Sequence, residues 1–198
     1  MTELWLIRHG ETEWSASGKH TSRTDLPLTE LGRERAAKLG KYLAGTKFAA
    51  VLRSPMLRAK QTCEIAGFGA EAVVVDDLRE WDYGVYEGRT SAEIQAEIPG
   101  WSVWTSPIVG GETVDHVGER ADRVIATALA EEGVAGANEC VRVALFAHAH
   151  ILRILAARWV GLEARGGSLF ALGTGSVSVL GWERETRVIQ RWNRGFDE

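Results

Sequence analysis

Leu4-Trp5-Leu6-Ile7-Arg8-His9-Gly10 is the stretch on which the fold turns. Four apolar residues run straight into a guanidinium, an imidazole and a glycine, as in a buried strand that delivers polar groups at its carboxyl end. A second stretch repeats the arrangement: Val141 to Phe146 is the most continuous strand candidate, and His148-Ala149-His150 follows it. Open α/β sheets place ligands at such strand ends. Two strands of this chain therefore end in histidine where a ligand is expected.

Strands and helices alternate between and around these two. Thr29 is placed to cap a helix running to about Leu43, with Leu31, Leu39 and Leu43 on one side and Gly45 beyond its end. Phe48 to Leu52 reads as a strand. Ser54-Pro55 reads as a helix start, an N-cap followed by proline at the first helical position, on a helix carrying Leu57, Arg58, Thr62 and Ile65. Ala72 to Val75 is a short strand, and Asp76 to Arg89 an irregular, aromatic and acidic loop holding Glu80, Trp81, Asp82, Tyr83, Tyr86 and Glu87. Thr90 and Glu93 fit a capping box on a short helix that Pro99-Gly100 ends, and Gly110-Gly111 precedes a helix over about Glu112 to Glu131. The His148 strand leads into a helix through Leu155 and Trp159 to Gly161, and Val177 to Leu180 and Val188 to Trp192 read as a hairpin at a sheet edge. The alternation predicts an α/β fold with a largely parallel central sheet covered on both faces by helices.

With 198 residues, 45% apolar and 25% charged, the chain has the composition of a globular protein with a real core. The length suits a single domain over residues 1–198, with a small cap within about residues 84–115. Twenty-two Gly against four Pro favour turns over low-complexity sequence and exclude disorder and collagen-like structure. Arg or Glu interrupts every apolar run before the roughly 18 residues that a membrane span needs. The N-terminus lacks the basic start, longer apolar segment and small-residue cleavage site of a signal peptide. Cys63 and Cys140 are far apart and form no Cys-x-x-Cys pair, so a reducing, cytoplasmic location is expected. A net charge of −4 has the wrong sign for a nucleic-acid or anionic-membrane partner. An anionic ligand would need a local cluster of arginines.

Arg8-His9-Gly10-Glu11 supplies part of such a cluster: an imidazole able to attack phosphorus, a guanidinium beside it, and a glycine that permits close backbone approach. A histidine at a strand end is as readily a satisfied structural residue, and a surface arginine is the plain reading of Arg58. Arg58, however, stands one turn into a helix that follows a strand end, so its side chain can return toward the mouth of the first strand, and Glu80 lies in the loop after a third.

At these positions the chain resembles the histidine phosphatase superfamily, which includes phosphoglycerate mutases and many small phosphatases. The resemblance is carried by Leu6 to Trp14, by Thr24 to Thr29 with Gly32, by the Arg58 segment, by Leu78 to Gly88, by Gly110 to Thr113 and by Phe146 to Arg153. Together these span residues 4 to about 160. The resemblance implies a phosphoglycerate mutase-like three-layer sandwich. It implies that His9 is the nucleophile that becomes phosphohistidine, that Arg8, Arg58 and His148 bind the phosphoryl oxygens, and that Glu80 is the proton donor. Two arginines and a charged histidine can stabilise the transferring phosphoryl group without a metal, so no cofactor is expected. His9 must be neutral to attack, which Arg8 and Arg58 favour, whereas His148 is useful charged, a state that the phosphate dianion would hold.

Two departures from the family pattern bear on substrate choice. Ala149 stands where the second histidine is commonly followed by Gly; its N–H is kept and its methyl group crowds the phosphate. Ser22 stands where relatives often have Gly, and Ser15 where several have Asn; Ser15 can still donate one hydrogen bond to phosphate, and Thr21 another through its backbone. With Tyr83 as a pocket wall, these are the expected substrate contacts: Ser15, Thr21, Ser22, Tyr83 and Ala149. Trp81 is a second wall candidate, and Glu112 faces the pocket or complements a helix dipole. Trp5, Trp159, Trp182 and Trp192 read as core packing. His148-x-His150 has a spacing found at metal sites, but on a strand end the two would point to opposite faces, and no third ligand is near; no metal is expected.

The resemblance thus implies a metal-independent phosphomonoesterase acting on a small organic phosphate, a sugar phosphate or bisphosphate, in the manner of sedoheptulose-bisphosphatase and mycobacterial acid phosphatase relatives. A phosphoglycerate mutase is the enzyme alternative, disfavoured because cofactor-dependent mutases carry extra segments for which this chain lacks room. A noncatalytic binder of phosphate ligands or phosphoproteins is the alternative of another class, and the presence of Arg8, His9, Arg58, Glu80 and His148 together counts against it. The two edge strands near the C-terminus offer an interface for a homodimer.

Overall fold

In the computed structural model, which describes residues 1–131 and 140–196, the chain runs β1 (Thr2–Arg8), α1 (Glu13–Ala16), α2 (Glu30–Leu43), β2 (Ala50–Arg53), α3 (Leu57–Ile65) and β3 (Ala72–Val74). It continues through α4 (Ser91–Glu97), α5 (Val114–Ala130), β4 (Val141–Ala147), α6 (Ala149–Trp159), β5 (Val177–Glu183) and β6 (Thr186–Arg194). The sheet order is β3-β2-β4-β1-β5-β6; the first four strands are mutually parallel, and β5 and β6 are antiparallel additions.

Strand alternation sorts the core into two clusters, because successive side chains leave opposite faces of the sheet. Leu4 and Leu6 of β1 and Val143 and Leu145 of β4 pack with Val117 and Val124 of α5 and Ile151 and Leu155 of α6. Ile7 and, from β4, Ala144 and Phe146 face the other way, onto Leu39 and Leu43 of α2 and Cys63 of α3. Helices on both faces make the three-layer α/β sandwich. Residues 84–115 add Tyr86, Ile94, Trp101 and Val103 to the α5–α6 side of this core.

Register brings the functional ends together. Arg8 pairs with Ala147, and Arg53 with Phe146, so β1, β4 and β2 finish side by side. The backbone continues this alignment: His9 N–H donates to Ala147 O at 2.9 Å and Ser54 N–H to Phe146 O at 2.9 Å.

Three local features differ from the sequence reading. Leu31 is exposed, because the buried stripe of α2 is Gly32, Ala36, Leu39 and Leu43, and Leu31 lies about 100° from it. The helix expected from Ser54-Pro55 begins at Leu57; Ser54 is still tied to the sheet, and the carboxylate of Asp25 takes Leu57 N–H at 2.7 Å in place of a local cap. The helix expected from Glu112 begins at Val114 behind Thr113, whose hydroxyl accepts His116 N–H, so Glu112 lies outside it.

Candidate active site

His9 is buried at the end of β1. Its Nδ1 lies 2.7 Å from Gly10 O. A carbonyl only accepts, so Nδ1 carries the proton and Nε2 keeps the lone pair. Burial first, then the charges of Arg58 and Arg8, push His9 well below the ordinary imidazole range, and the ring is neutral. Gly10 N–H in turn donates to Thr62 Oγ1 at 2.9 Å, and a methyl group on Gly10 would meet Gly32 O at 2.5 Å, so the His9 turn is held between α2 and α3.

Arg58 enters from α3, fully buried. It donates to the carbonyls of Thr21, Ser22 and Thr24 and, through Nε, to His148 Nδ1 at 3.1 Å. Among the described residues no carboxylate accepts a hydrogen bond from it, and Glu80, Asp25 and Glu87 act on its charge only through space. Arg8 donates to Leu172 O, and its Nε is buried with no partner among the described residues. Such an orphaned cationic donor is costly unless an anion completes it.

The rings of His148 and His9 lie 5.2 Å apart, centre to centre. Since Arg58 donates to Nδ1, that nitrogen is unprotonated and the proton sits on Nε2, 2.8 Å from Ser54 Oγ. Burial, Arg58 and His9, in that order, hold His148 well below the usual range. The charged His148 of the sequence reading is therefore not the resting state. Ser54, expected as a helix cap, instead meets this imidazole.

Glu80 is buried, and its carboxylate accepts three backbone N–H groups: Trp81 and Ile151 on Oε1 and His150 on Oε2, each at 3.0 Å. Two of these belong to the first turn of α6, whose otherwise unpaired N–H groups hold the Glu80 side chain in place. His148 and His150 stand on a helix cap and its first turn rather than on a strand, so the alternation argument does not apply to them. They diverge nonetheless, His148 toward Arg58 and His150 toward Tyr83, whose hydroxyl is 2.7 Å from His150 Nδ1. Among the described residues no three His, Cys, Asp or Glu side chains are grouped to hold a metal.

A cavity of about 160 Å³ is lined by Arg8, His9, Ser15, Lys19, Thr21, Glu80, Tyr83 and Ala149, among others. Four of the five expected substrate contacts border it. Ser15 Oγ is occupied in a capping box, donating to Thr12 O and accepting from Thr12 N–H. Ser22 turns its N–H to Glu87 and lines instead a neighbouring cavity of about 530 Å³. Trp81 is sealed in the core with its Nε1 on Glu112 O.

The superfamily model described as histidine phosphatase superfamily (branch 1) matches residues 4–195. The chain belongs to the histidine phosphatase superfamily. An acid phosphatase of Mycobacterium tuberculosis is 39% identical over 188 residues, covering 94% of this chain and 89% of the relative. A sedoheptulose 1,7-bisphosphatase of Saccharomyces cerevisiae is 36% identical over 187 residues, 79% of this chain and 67% of the relative. A solved open reading frame product of Mycobacterium tuberculosis superposes with a TM-score of 0.90 at 36% identity, over 98% of both chains. These relatives make this histidine phosphatase a phosphoric monoester hydrolase.

Around its site lie groups that local sequence motifs do not reveal. All five N–H donors of Arg120 are engaged: on both carboxylate oxygens of Glu112 at 2.8 Å, and on the carbonyls of Asp77, Arg79 and Glu80. Glu112 Oε2 also accepts Asp82 N–H at 2.9 Å. The loop carrying Glu80 is thus gripped from both sides. The available signal is an arginine on the apolar stripe of α5, between Val117 and Val124. Glu87, which accepts the N–H groups of Ser22 and Thr24, shapes the loop that Arg58 binds.

Proposed function

We propose that the protein is a metal-independent cytoplasmic phosphomonoesterase that hydrolyses a small organic phosphate, a sugar phosphate or bisphosphate, through phosphohistidine on His9. The observation that carries this is the neutral His9, its Nδ1–H on Gly10 O, set beside Arg58 and an Arg8 whose Nε lacks a partner among the described residues. In the first step Nε2 attacks phosphorus, the ester P–O bond breaks, and the leaving oxygen takes a proton from Glu80. In the second, water attacks the phosphohistidine and gives its proton to Glu80, the P–N bond breaks, and inorganic phosphate leaves. Arg8 and Arg58 balance the charge on the phosphoryl oxygens in both steps. A bound dianion offsets the two guanidinium charges, so His148 takes up a proton as substrate binds, exchanging its bond to Arg58 for one to phosphate. Thr21, Tyr83 and Ala149 border the bound phosphoryl group; Ser15 and Ser22 act mainly by shaping its loop.

The test is phosphate release from sugar mono- and bisphosphates, phosphoglycerates and phosphopeptides with EDTA present, run beside His9→Ala. Activity in the wild type alone is expected. Activity that disappears with EDTA, or persists in His9→Ala, would contradict the proposal.

A further inference from the structure

The larger cavity differs from the smaller one in its charge. It begins where the smaller one ends, since Glu80 borders both and the adjacent residues Thr21 and Ser22 line one each. The space around His9 is the smaller, about 160 Å³ against about 530 Å³, so the rest of a sizeable ester has more room past Glu80 than beside His9. The larger volume lies within the range of small-molecule sites, about 300–1,000 Å³.

Every arginine lining that space is matched by a carboxylate lining it too. Arg23 pairs with Asp82; Arg79 donates to Asp76 at 3.1 Å; Arg120 pairs through two N–H groups with Glu112. The one buried cation of the three, Arg120, has no donor left for a ligand. Apart from Glu80, which borders both cavities and carries the proton that the proposed first step uses, three carboxylates face three guanidinium groups, so no net positive charge is left over. The smaller cavity differs: it is lined by Arg8 and Lys19 against the single carboxylate of Glu80, and among the described residues Arg8 donates to no carboxylate, whereas every arginine of the larger cavity is already paired. A second phosphoryl dianion placed there would meet like charges in a partly enclosed site, which costs affinity. Hydroxyl groups suit it, because each can donate to a carboxylate and accept from a guanidinium at once.

We infer that the larger cavity receives the alcohol portion of the substrate as an uncharged polyol, and that the enzyme selects sugar monophosphates over bisphosphates. This specificity rests on the phosphatase activity proposed above and narrows it to one substrate class. Asp82 and Asp76 are its determinants on the protein side, since removing either leaves an arginine of the cavity without its partner.

The experiment compares kcat/KM for fructose 1-phosphate, fructose 6-phosphate and fructose 1,6-bisphosphate, with p-nitrophenyl phosphate as the reference ester, in wild type, Asp82→Asn and Asp76→Asn. The wild type is expected to prefer at least one monophosphate over the bisphosphate by about tenfold, and each variant to narrow that ratio by about threefold, mainly through KM for the bisphosphate. Asp76 is exposed, so its variant keeps the comparison valid if Asp82→Asn fails to fold. Equal or better use of the bisphosphate by the wild type, or a ratio that neither variant moves, overturns the inference. Turnover of p-nitrophenyl phosphate with none of the fructose esters also overturns it while leaving the phosphatase activity standing; no turnover of any ester defeats both.

Discussion

At the scale of single residues, the site is a problem in keeping histidines neutral. His9, His148 and His150 are each held well below the ordinary imidazole range, and His20 is lowered too, with burial the leading cause for all four. In each case the folded form binds a proton less readily than the unfolded chain. The contribution to stability is therefore complete above the unfolded value of about 6.5 and is lost progressively as pH falls below it toward the depressed folded values. The melting temperature is expected to drop between about pH 6.5 and pH 5, and His148→Asn to weaken that dependence; a melting temperature that rises over this interval would contradict the assignment of neutral rings. Part of this residue-scale picture is legible in the chain: strand ends and a helix first turn locate Arg8, His9, His148 and Arg58, whereas Glu80, in an irregular loop, is singled out by the family resemblance. Ser54 is not legible as a partner of His148, since its position before proline gives an equally good helix-cap reading and only β2–β4 register brings it to the imidazole.

At the scale of elements, two close contacts govern how the loops are aimed. A methyl group on Gly32, in the first turn of α2, would lie 2.2 Å from Glu11 O. Replacing a helical glycine by alanine ordinarily gains up to about 1 kcal/mol, whereas forced overpacking costs about 1–3 kcal/mol, so Gly32→Ala is expected to destabilise. Chemical denaturation with an unchanged slope and a lower midpoint is the predicted result; a higher midpoint would show that the turn after His9 can move. The second contact is the grip of Arg120 on the Glu80 loop. Arg120→Ala removes one partner of a largely buried pair, and a loss of about 3–5 kcal/mol is expected. Arg120→Lys keeps the charge but not the five-fold donor set, and should lower kcat for p-nitrophenyl phosphate about tenfold or more with a smaller change in KM, because Glu80 is misplaced rather than lost. Equal kcat in Arg120→Lys and wild type would remove Arg120 from the positioning of Glu80. The helix containing Arg120 is predictable from its apolar period; the role of the arginine is not, since its partners lie 8 and about 40 residues away.

At the scale of the whole molecule, four parallel strands carry the candidate active site and the α5–α6 face carries most of the core. Leu145 sits in the central strand β4, fully buried among residues of β1, α5 and α6. Leu145→Ala is expected to cost about 2–5 kcal/mol, read as a lowered denaturation midpoint, with the active-site hydrogen bonds unchanged in kind. The sandwich itself follows from the alternation of strands and helices, while the placement of β5 beside β1, antiparallel to it, needs the tertiary pairing of Leu4 with Leu180 and has no local signature. The division into one charged compartment and one compensated compartment is likewise a property of the assembled fold, produced by loops 21–25 and 76–82 and the start of α5 together. The reaction proposed for this arrangement is a two-step transfer through His9. The most direct test is to mix enzyme with excess p-nitrophenyl phosphate, quench in alkali, where a phosphorus–nitrogen bond to histidine survives, and map the peptides by mass. The peptide containing His9 is expected to carry the added mass of one phosphoryl group in the wild type and in no sample of His9→Ala, which should also release no phosphate. Steady phosphate release by His9→Ala, or a phosphoryl group found on another residue, would contradict the account.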